Sequence, residues 1–570
     1  MAAGEGRFSV IGAGEGLAGC GKLPLMFQHT SAAAAAAMLL AFAAGATPQD
    51  HDHEHALATD KLGTVAFSTS CSASAQPQFN HAVALLHSFE FSRAIDGFGE
   101  TLKTDPSCAM AEWGIALSRW GNPFGVGIRP SGQVQQGRDA VARARAIGIK
   151  TDRERAYVDA ASLLFADAET ADQAARVRAY RDGMAKVAAA FPNDSEASIF
   201  YALSLAAAAS PADKTFADQL RAGAILEKLI ARQPEHPGLA HYIIHAYDVP
   251  PLADRALAAA RRYAKIAPSA PHALHMPSHT FTRLGYWEES VATNTASGAV
   301  AKQVGSVAEE LHTMDYRTYA YLQMAQDRGA RVMLDALPEV AARFDPEAIG
   351  SAAPGSAGVF ALAAIPARYA LERAAWADAA KLESHPSKYP YAEALTYFAR
   401  AIGAAHLGDT ATVRSSIEAL QRIQDQLTLA KEAYWAQQTE IQRRAASAWL
   451  AFAEGREADA LEGMRAAAVM EDGTEKAAVT PGPLAPAREL LGDMLLELKH
   501  PAEARKEFEA TLKKEPNRFR ALYGAARSAS LMGDGAAARR YYDQLIKICE
   551  RADKPDRAEL AAARQARRLR

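Results

Sequence analysis

Small apolar residues and strong helix formers dominate the pattern of this chain, while alternating Val/Ile/Thr runs are scarce. Stretches such as Ala256-Leu257-Ala258-Ala259-Ala260 consist of residues that lose little side-chain freedom in a helix. Hairpin turns flanked by alternating runs are rare, so the usual signal for paired strands is weak. The pattern predicts an all-α chain whose helices are separated by Pro/Gly loops at Gly121 to Gly132, Ser210-Pro211, Ala352 to Gly358 and Pro481-Gly482-Pro483. Trp113, Trp120, Trp287, Trp376 and Trp449 fall at helical spacing among Ala and Leu, where an aromatic fills a gap between helices.

The pattern also repeats. Ala504, Phe508 and Pro516 are followed by Gly533, Ala538 and Tyr542, and Ala504 lies 34 residues before Ala538. Near the other end, Ala94, Phe98 and Asp105-Pro106 keep the same interval from alanine to proline, and a third copy runs from Leu284-Gly285-Tyr286-Trp287 to Ser290. These small, aromatic and proline positions resemble the tetratricopeptide (TPR) motif. There alanine lets two helices approach, an aromatic fills the groove and proline closes the unit. The resemblance implies a TPR-like helix-turn-helix solenoid, a right-handed superhelix with degenerate phasing and room for a break into two lobes near residues 345–360. Each pair in such an array buries its face only against its neighbours.

A chain of 570 residues is too long for one compact core, which agrees with an array. A net charge of -3 argues against nucleic acid as the main partner, since phosphate neutralisation needs a basic surface. The basic run Arg564, Arg567, Arg568 and Arg570 reads as the solvated face of a capping helix. Residues Ala32 to Ala44 are apolar and end in Ala44-Gly45-Ala46, a pattern of export and cleavage too short to span a bilayer. Dinucleotide-like (Val10 to Gly14), P-loop-like (Gly16 to Lys22) and lipobox-like (Leu17 to Cys20) motifs precede it, and none has the flanking context its chemistry needs. The expected organisation is a leader at 1–46, a His/acid linker at 47–75 that includes Asp50 to His55, and a histidine-bearing array at 76–345. Degenerate repeats at 346–480 and C-terminal pairs with a cap at 481–570 complete it. No later segment is apolar enough to cross a membrane, and a periplasmic or secreted location is expected. Cys71 and Cys108 either pair there or stay as two buried thiols.

Chemistry concentrates in the histidines. Of 16, six lie between residues 236 and 279: His236, His241, His245, His272, His275 and His279. His241/His245 and His275/His279 are i,i+4 pairs, each sharing one helix face, and the pairs are 34 residues apart at both members. Alignment on Ala330 puts His312 level with His272 and Asp315 level with His275. Neutral imidazoles on adjacent helices suit Zn or Cu, so His241, His245, His275, His279, His272, His312 and Asp315 are the candidate metal ligands, with Asp248 as another oxygen donor. Pro277 opposes strict equivalence of the two pairs, because a mid-helix proline kinks the backbone. Tyr242 and Ile243 stand inside the first HxxxH, where zincin chemistry would want a glutamate, and Glu112 is a substitute only from another helix. No catalytic residue is assignable.

Leu86 to Phe89, Asp105 to Gly114, His236 to Asp248, His272 to Trp287 and Thr480 to Gly492 together resemble a family of secreted bacterial TPR-repeat proteins without assigned activity. The resemblance implies fold and export but carries no catalytic residues. The expectation is therefore a periplasmic scaffold whose concave groove takes a protein or peptide and whose histidines hold Zn or Cu. The alternatives are a metal-dependent hydrolase using the same histidines and a metal-free adaptor.

Overall fold

The computed structural model describes residues 60–125, 129–166, 173–350 and 352–568. The leader, the His/acid tract Asp50 to His55 and the three N-terminal motifs lie outside them. The described residues form a TPR-like solenoid of successive α-helices with no strand among them. No described helix is long and apolar enough to cross a membrane.

The repeat rests on a small-against-aromatic contact. Phe98 is fully buried, and a Cβ on Gly114 would lie 2.2 Å from its ring. Phe508 is held the same way between Gly492 and Gly524, where added Cβ atoms would come within 2.8 and 2.4 Å. Ala94 and Ala504 are likewise fully buried at the helix crossings. The turns repeat as well. Two residues before the next helix the chain adopts a left-handed conformation, at Phe89 (φ 57°), Ala325 (φ 52°) and Lys499 (φ 64°) as at Gly408 and Gly533. The following N–H then reaches back to the carbonyl five residues earlier, as in Glu90 to Leu85 (2.9 Å) and His500 to Leu495 (2.8 Å). This turn satisfies the last carbonyls of the first helix and sets the second antiparallel to it.

Residues 60–75, placed in the linker by sequence, run extended and packed. Phe67 is fully buried against Phe79, Trp113 and Tyr157. Ser70 binds the Glu154 carboxylate, and a Cys71–Cys108 disulfide fixes the segment to the start of Ala109–Trp120. Cys549 is free and buried.

The apolar core is divided among clusters, one running to Phe281 and Ala352, one beginning at Phe360, and one that joins Leu311 and Met314 to Ala361 and Ile365 across residues 345–360. Even so, the described residues form one compact unit and not two lobes. Long-range polar contacts explain this. Asn517 accepts from the Trp287 indole (3.0 Å) through its carbonyl and donates to Gly285 (3.1 Å). Gln323 accepts from the Phe519 N–H (2.9 Å), and the fully buried Arg518 joins Glu372, Glu489 and Tyr319. The C-terminal pairs thus close back on the helices of the histidine region.

Candidate metal centre

Four elements carry the six candidate histidine ligands His241, His245, His272, His275, His279 and His312: Pro237–Ala246, Pro271–His275, Pro277–Leu284 and Val307–Gln323. Pro277 has no N–H to continue the helix, so one helix stops at His275 and the next begins at Pro277. This break overturns the expected equivalence of the two i,i+4 pairs. The rings do not converge as one four-histidine site. They form two sets of three: His241, His245 and His272 in one, His275, His279 and His312 in the other. Within each set the ligand atoms lie within 4.8 Å of one another, and all six residues are buried.

Hydrogen bonds behind the rings fix their tautomers. His241 Nδ1 is 2.7 Å from the His87 carbonyl, which can only accept, so Nδ1 carries the hydrogen. His275 Nδ1 is 2.6 Å from Asn294 Oδ1, and the Asn294 amide is oriented by its own donation to Ser290 O (2.7 Å). His279 Nδ1 donates to Asp248 Oδ2 (2.8 Å), and His272 Nδ1 faces Glu309 Oε1 (3.3 Å). Each of these four neutral rings therefore turns an Nε2 acceptor inward, that of His279 also facing the Tyr316 hydroxyl.

Those lone pairs meet. His241 Nε2 and His272 Nε2 are 3.2 Å apart, and His275 Nε2 and His279 Nε2 are 3.1 Å apart. Two acceptors facing at that distance repel unless a cation lies between them. Protonation is opposed. Burial pushes His275 down to about 3 and holds His241, His245, His272 and His312 well below the usual histidine range, with neighbouring imidazoles adding to the effect at each. His245 Nε2 and His312 Nδ1 are buried with no hydrogen-bond partner. Three nitrogens bound to one ion at about 2.0–2.1 Å would stand about 3.3–3.6 Å apart, close to the 3.2 and 3.1 Å of one pair in each set, while the third nitrogen of each lies within 4.8 Å.

Surrounding charges are paired off. Burial alone would raise Asp248, but Lys476 and Arg283 outweigh it and hold the carboxylate well below its usual range. Arg283 Nε binds Asp248 at 2.9 Å and Lys476 Nζ at 3.4 Å. Asp248 thus orients His279 from behind and does not point into the centre. Asp315, the seventh expected ligand, belongs to neither set. Its carboxylate is taken by the fully buried Arg368 at 2.7 Å. Glu112 is held by Arg143 through two bonds, at 2.7 and 2.9 Å.

The expected open groove is filled from within. Arg368 also binds Thr480 Oγ1 (2.6 Å), Gly482 O (2.7 Å) and Pro483 O (3.1 Å), drawing the loop after Glu457–Asp472 across the histidines. Tyr316 lies between that loop and the second set, with its hydroxyl 3.3 Å from both His279 Nε2 and Thr480 O. On the histidine side lies a cavity of about 40 Å³, lined by His245 and His272 from one set, His279 and His312 from the other, and apolar groups including Phe124, Ala353 and Trp435, and a second of about 90 Å³ adjoins the same loop beside Arg283 and Lys476.

Sequence reasoning missed Glu309, Asn294 and Tyr316. Glu309 and Tyr316 flank His312 one helical turn away on either side, a spacing that was visible; Asn294 carried no signal. It also missed a third cluster, in which Glu196 bridges His87 and His236, each at 3.0 Å. Burial would raise Glu196, but His236 and His87 hold it well below the usual range. His87 is tied again to Tyr242 (2.9 Å), so this cluster braces the carbonyl that orients His241.

No family model and no curated protein matches this chain. Among solved structures it is similar to the human IFIT1 dimer with m7Gppp-AAAA, at 12% identity and a TM-score of 0.37, covering 78% of this chain and 90% of that one. It is also similar to the APC/C hetero-tetramer Cut9-Hcn1, at 13% identity and a TM-score of 0.31, covering 86% and 90%. At these scores the likeness carries no functional argument, and the fold assignment stands on the helix pairs themselves.

Proposed function

We propose that this chain is an exported helical-repeat scaffold that binds two metal ions of the zinc or copper type, one in each three-histidine set. The observation that carries the reading is the pair of Nε2-to-Nε2 contacts at 3.2 and 3.1 Å between rings whose Nδ1 atoms are committed as donors. Neutral imidazoles, each oriented by an outer oxygen, are the usual dress of a metal-binding histidine. Export to the periplasm or beyond is supported by the Cys71–Cys108 disulfide, since such bonds persist in oxidising compartments.

A hydrolytic reading gains nothing from the geometry. Of the carboxylates the sequence offered, Asp315, Asp248 and Glu112 are each committed to arginine. Partner binding in the concave groove is opposed by the loop anchored on Arg368, so a docking partner would use another face.

The test is the metal content of protein purified without a polyhistidine tag, measured by elemental analysis. Two ions per chain are expected, with loss in a His241→Ala/His275→Ala double variant that still folds by circular dichroism. A folded protein that takes up neither zinc nor copper overturns the reading and leaves the metal-free adaptor.

A further inference from the structure

The two sets are neighbours opening on one space. The His272 and His275 rings are 5.7 Å apart, and those of His245 and His279 are 6.0 Å apart, each pair spanning the two sets. All four of His245, His272, His279 and His312 reach the same cavity of about 40 Å³. A water needs about 10–15 Å³ by the same measure, so the space suits one diatomic molecule or a few waters. Its other walls are largely apolar; Phe124 stacks on His245 at 3.9 Å, and Ala353 and Trp435 close the sides.

Charge selects the ion. Among the groups tied to the rings, Asp248 is bound by Arg283 and Lys476, and Arg283 also faces Glu475. Neither set contains a carboxylate or a thiolate. Two dications would bring four positive charges into a buried chamber whose ring donors are all neutral, whereas two monocations would bring two. Ions held by neutral nitrogen donors in threes, at the smallest buried charge, point to copper(I).

Resting on the metal-binding reading, we infer that the paired three-histidine sets hold two copper(I) ions that together bind one molecule of dioxygen in the cavity between them. Each copper gives up one electron and becomes copper(II), and the O=O double bond becomes the single bond of a peroxide. The peroxide forms copper–oxygen bonds on both sides. No proton moves. The unit of two copper ions and dioxygen keeps its net charge of two throughout, so the chamber gains no buried charge on oxygenation.

The experiment loads tag-free full-length protein with copper(I) under anaerobic conditions, measures copper per chain, and then admits oxygen. Expected are two coppers per chain and uptake of one dioxygen per two coppers. A new near-ultraviolet charge-transfer absorption should appear, with no electron paramagnetic resonance signal because the two copper(II) spins couple through the bridge. His275→Ala should lose one copper and all oxygen uptake. Ala353→Leu, which fills the cavity and spares the ligands, should keep both coppers and lose uptake. Two coppers without oxygen uptake, a signal from isolated copper(II), or a protein that holds zinc and refuses copper(I) overturns this inference and leaves the metal-binding reading intact. A chain that takes up no metal overturns both.

Discussion

The C-terminal pairs from Ala487–Glu497 to Gly535–Ile548 and the histidine region from Pro237–Ala246 to Val307–Gln323 are made by the same rule and spend it differently. Both use antiparallel helix pairs joined by a left-handed turn residue, Lys499 in one and Gly285 in the other. In the C-terminal pairs the space between helices is filled by Phe508 against two glycines. In the histidine region it is filled by six imidazoles, Asn294, Glu309 and Asp248, and two of the imidazoles, His245 and His312, have a buried nitrogen without a hydrogen-bond partner. Buried polar atoms left unpaired cost about 1–3 kcal/mol each, so the second region is held in a costly arrangement by its surroundings. Stability concentrates in one place and chemistry in the other.

The sharpest way to break that contrast is Phe508→Ala. Removing a fully buried ring that touches both neighbouring pairs should cost about 3–5 kcal/mol in denaturant unfolding, while metal bound per folded chain stays unchanged. A cost below about 1 kcal/mol would mean the aromatic groove is not what holds the array. Next in size is the Cys71–Cys108 bridge, which closes a separation of 37 residues and ties the extended segment to the first pairs. Its removal by a double serine substitution should cost about 2–4 kcal/mol through the freed unfolded chain, again with metal content preserved. Loss of metal on cutting this bridge would show the two regions to be coupled.

Histidine substitutions should behave in the opposite sense. In metal-free protein, His241→Leu removes one of two facing lone pairs and should change stability by less than about 1 kcal/mol or raise it. In metal-loaded protein the same variant should lose the stabilisation that bound ions confer, which a melting curve with and without chelator reads directly. A large loss in the metal-free state would show that the imidazoles are ordinary core and that the contrast is mistaken.

Much of this was visible in the residues, for definite reasons. The 34-residue step from Ala504 to Ala538 is a packing requirement repeated in sequence, so the fold was legible. All six candidate histidines stood out because imidazole is uncommon on an Ala/Leu-rich helix. Their grouping was not legible. It depends on whether Pro277 kinks a helix or starts one, and the structure starts one there. Asp315 was misassigned because its partner, Arg368, lies 53 residues on and outside the repeat register. The turns at Phe89, Ala325 and Lys499 were hidden because sequence reading looks for glycine where these residues take positive φ. The filled groove was hidden because a loop anchored 112 residues from its arginine leaves no periodic trace.

The smallest effect separates the regions by pH. His406, outside the centre, stacks on Trp376 at 3.9 Å with the Trp449 ring at 4.4 Å, and burial pushes it down to about 4. An unfolded histidine titrates near 6.5. The unfolded chain therefore binds the extra proton first, so this residue's contribution is intact above pH 6.5 and is lost as pH falls toward 4. His406→Phe keeps the aromatic stack and removes the proton. It should leave stability at pH 7 within about 0.5 kcal/mol and raise it by about 1–2 kcal/mol near pH 4.5, with no change in metal content at pH 7. If urea unfolding of the variant and the parent falls in parallel from pH 7 to 4.5, the acid sensitivity of the array does not lie at this stacked histidine.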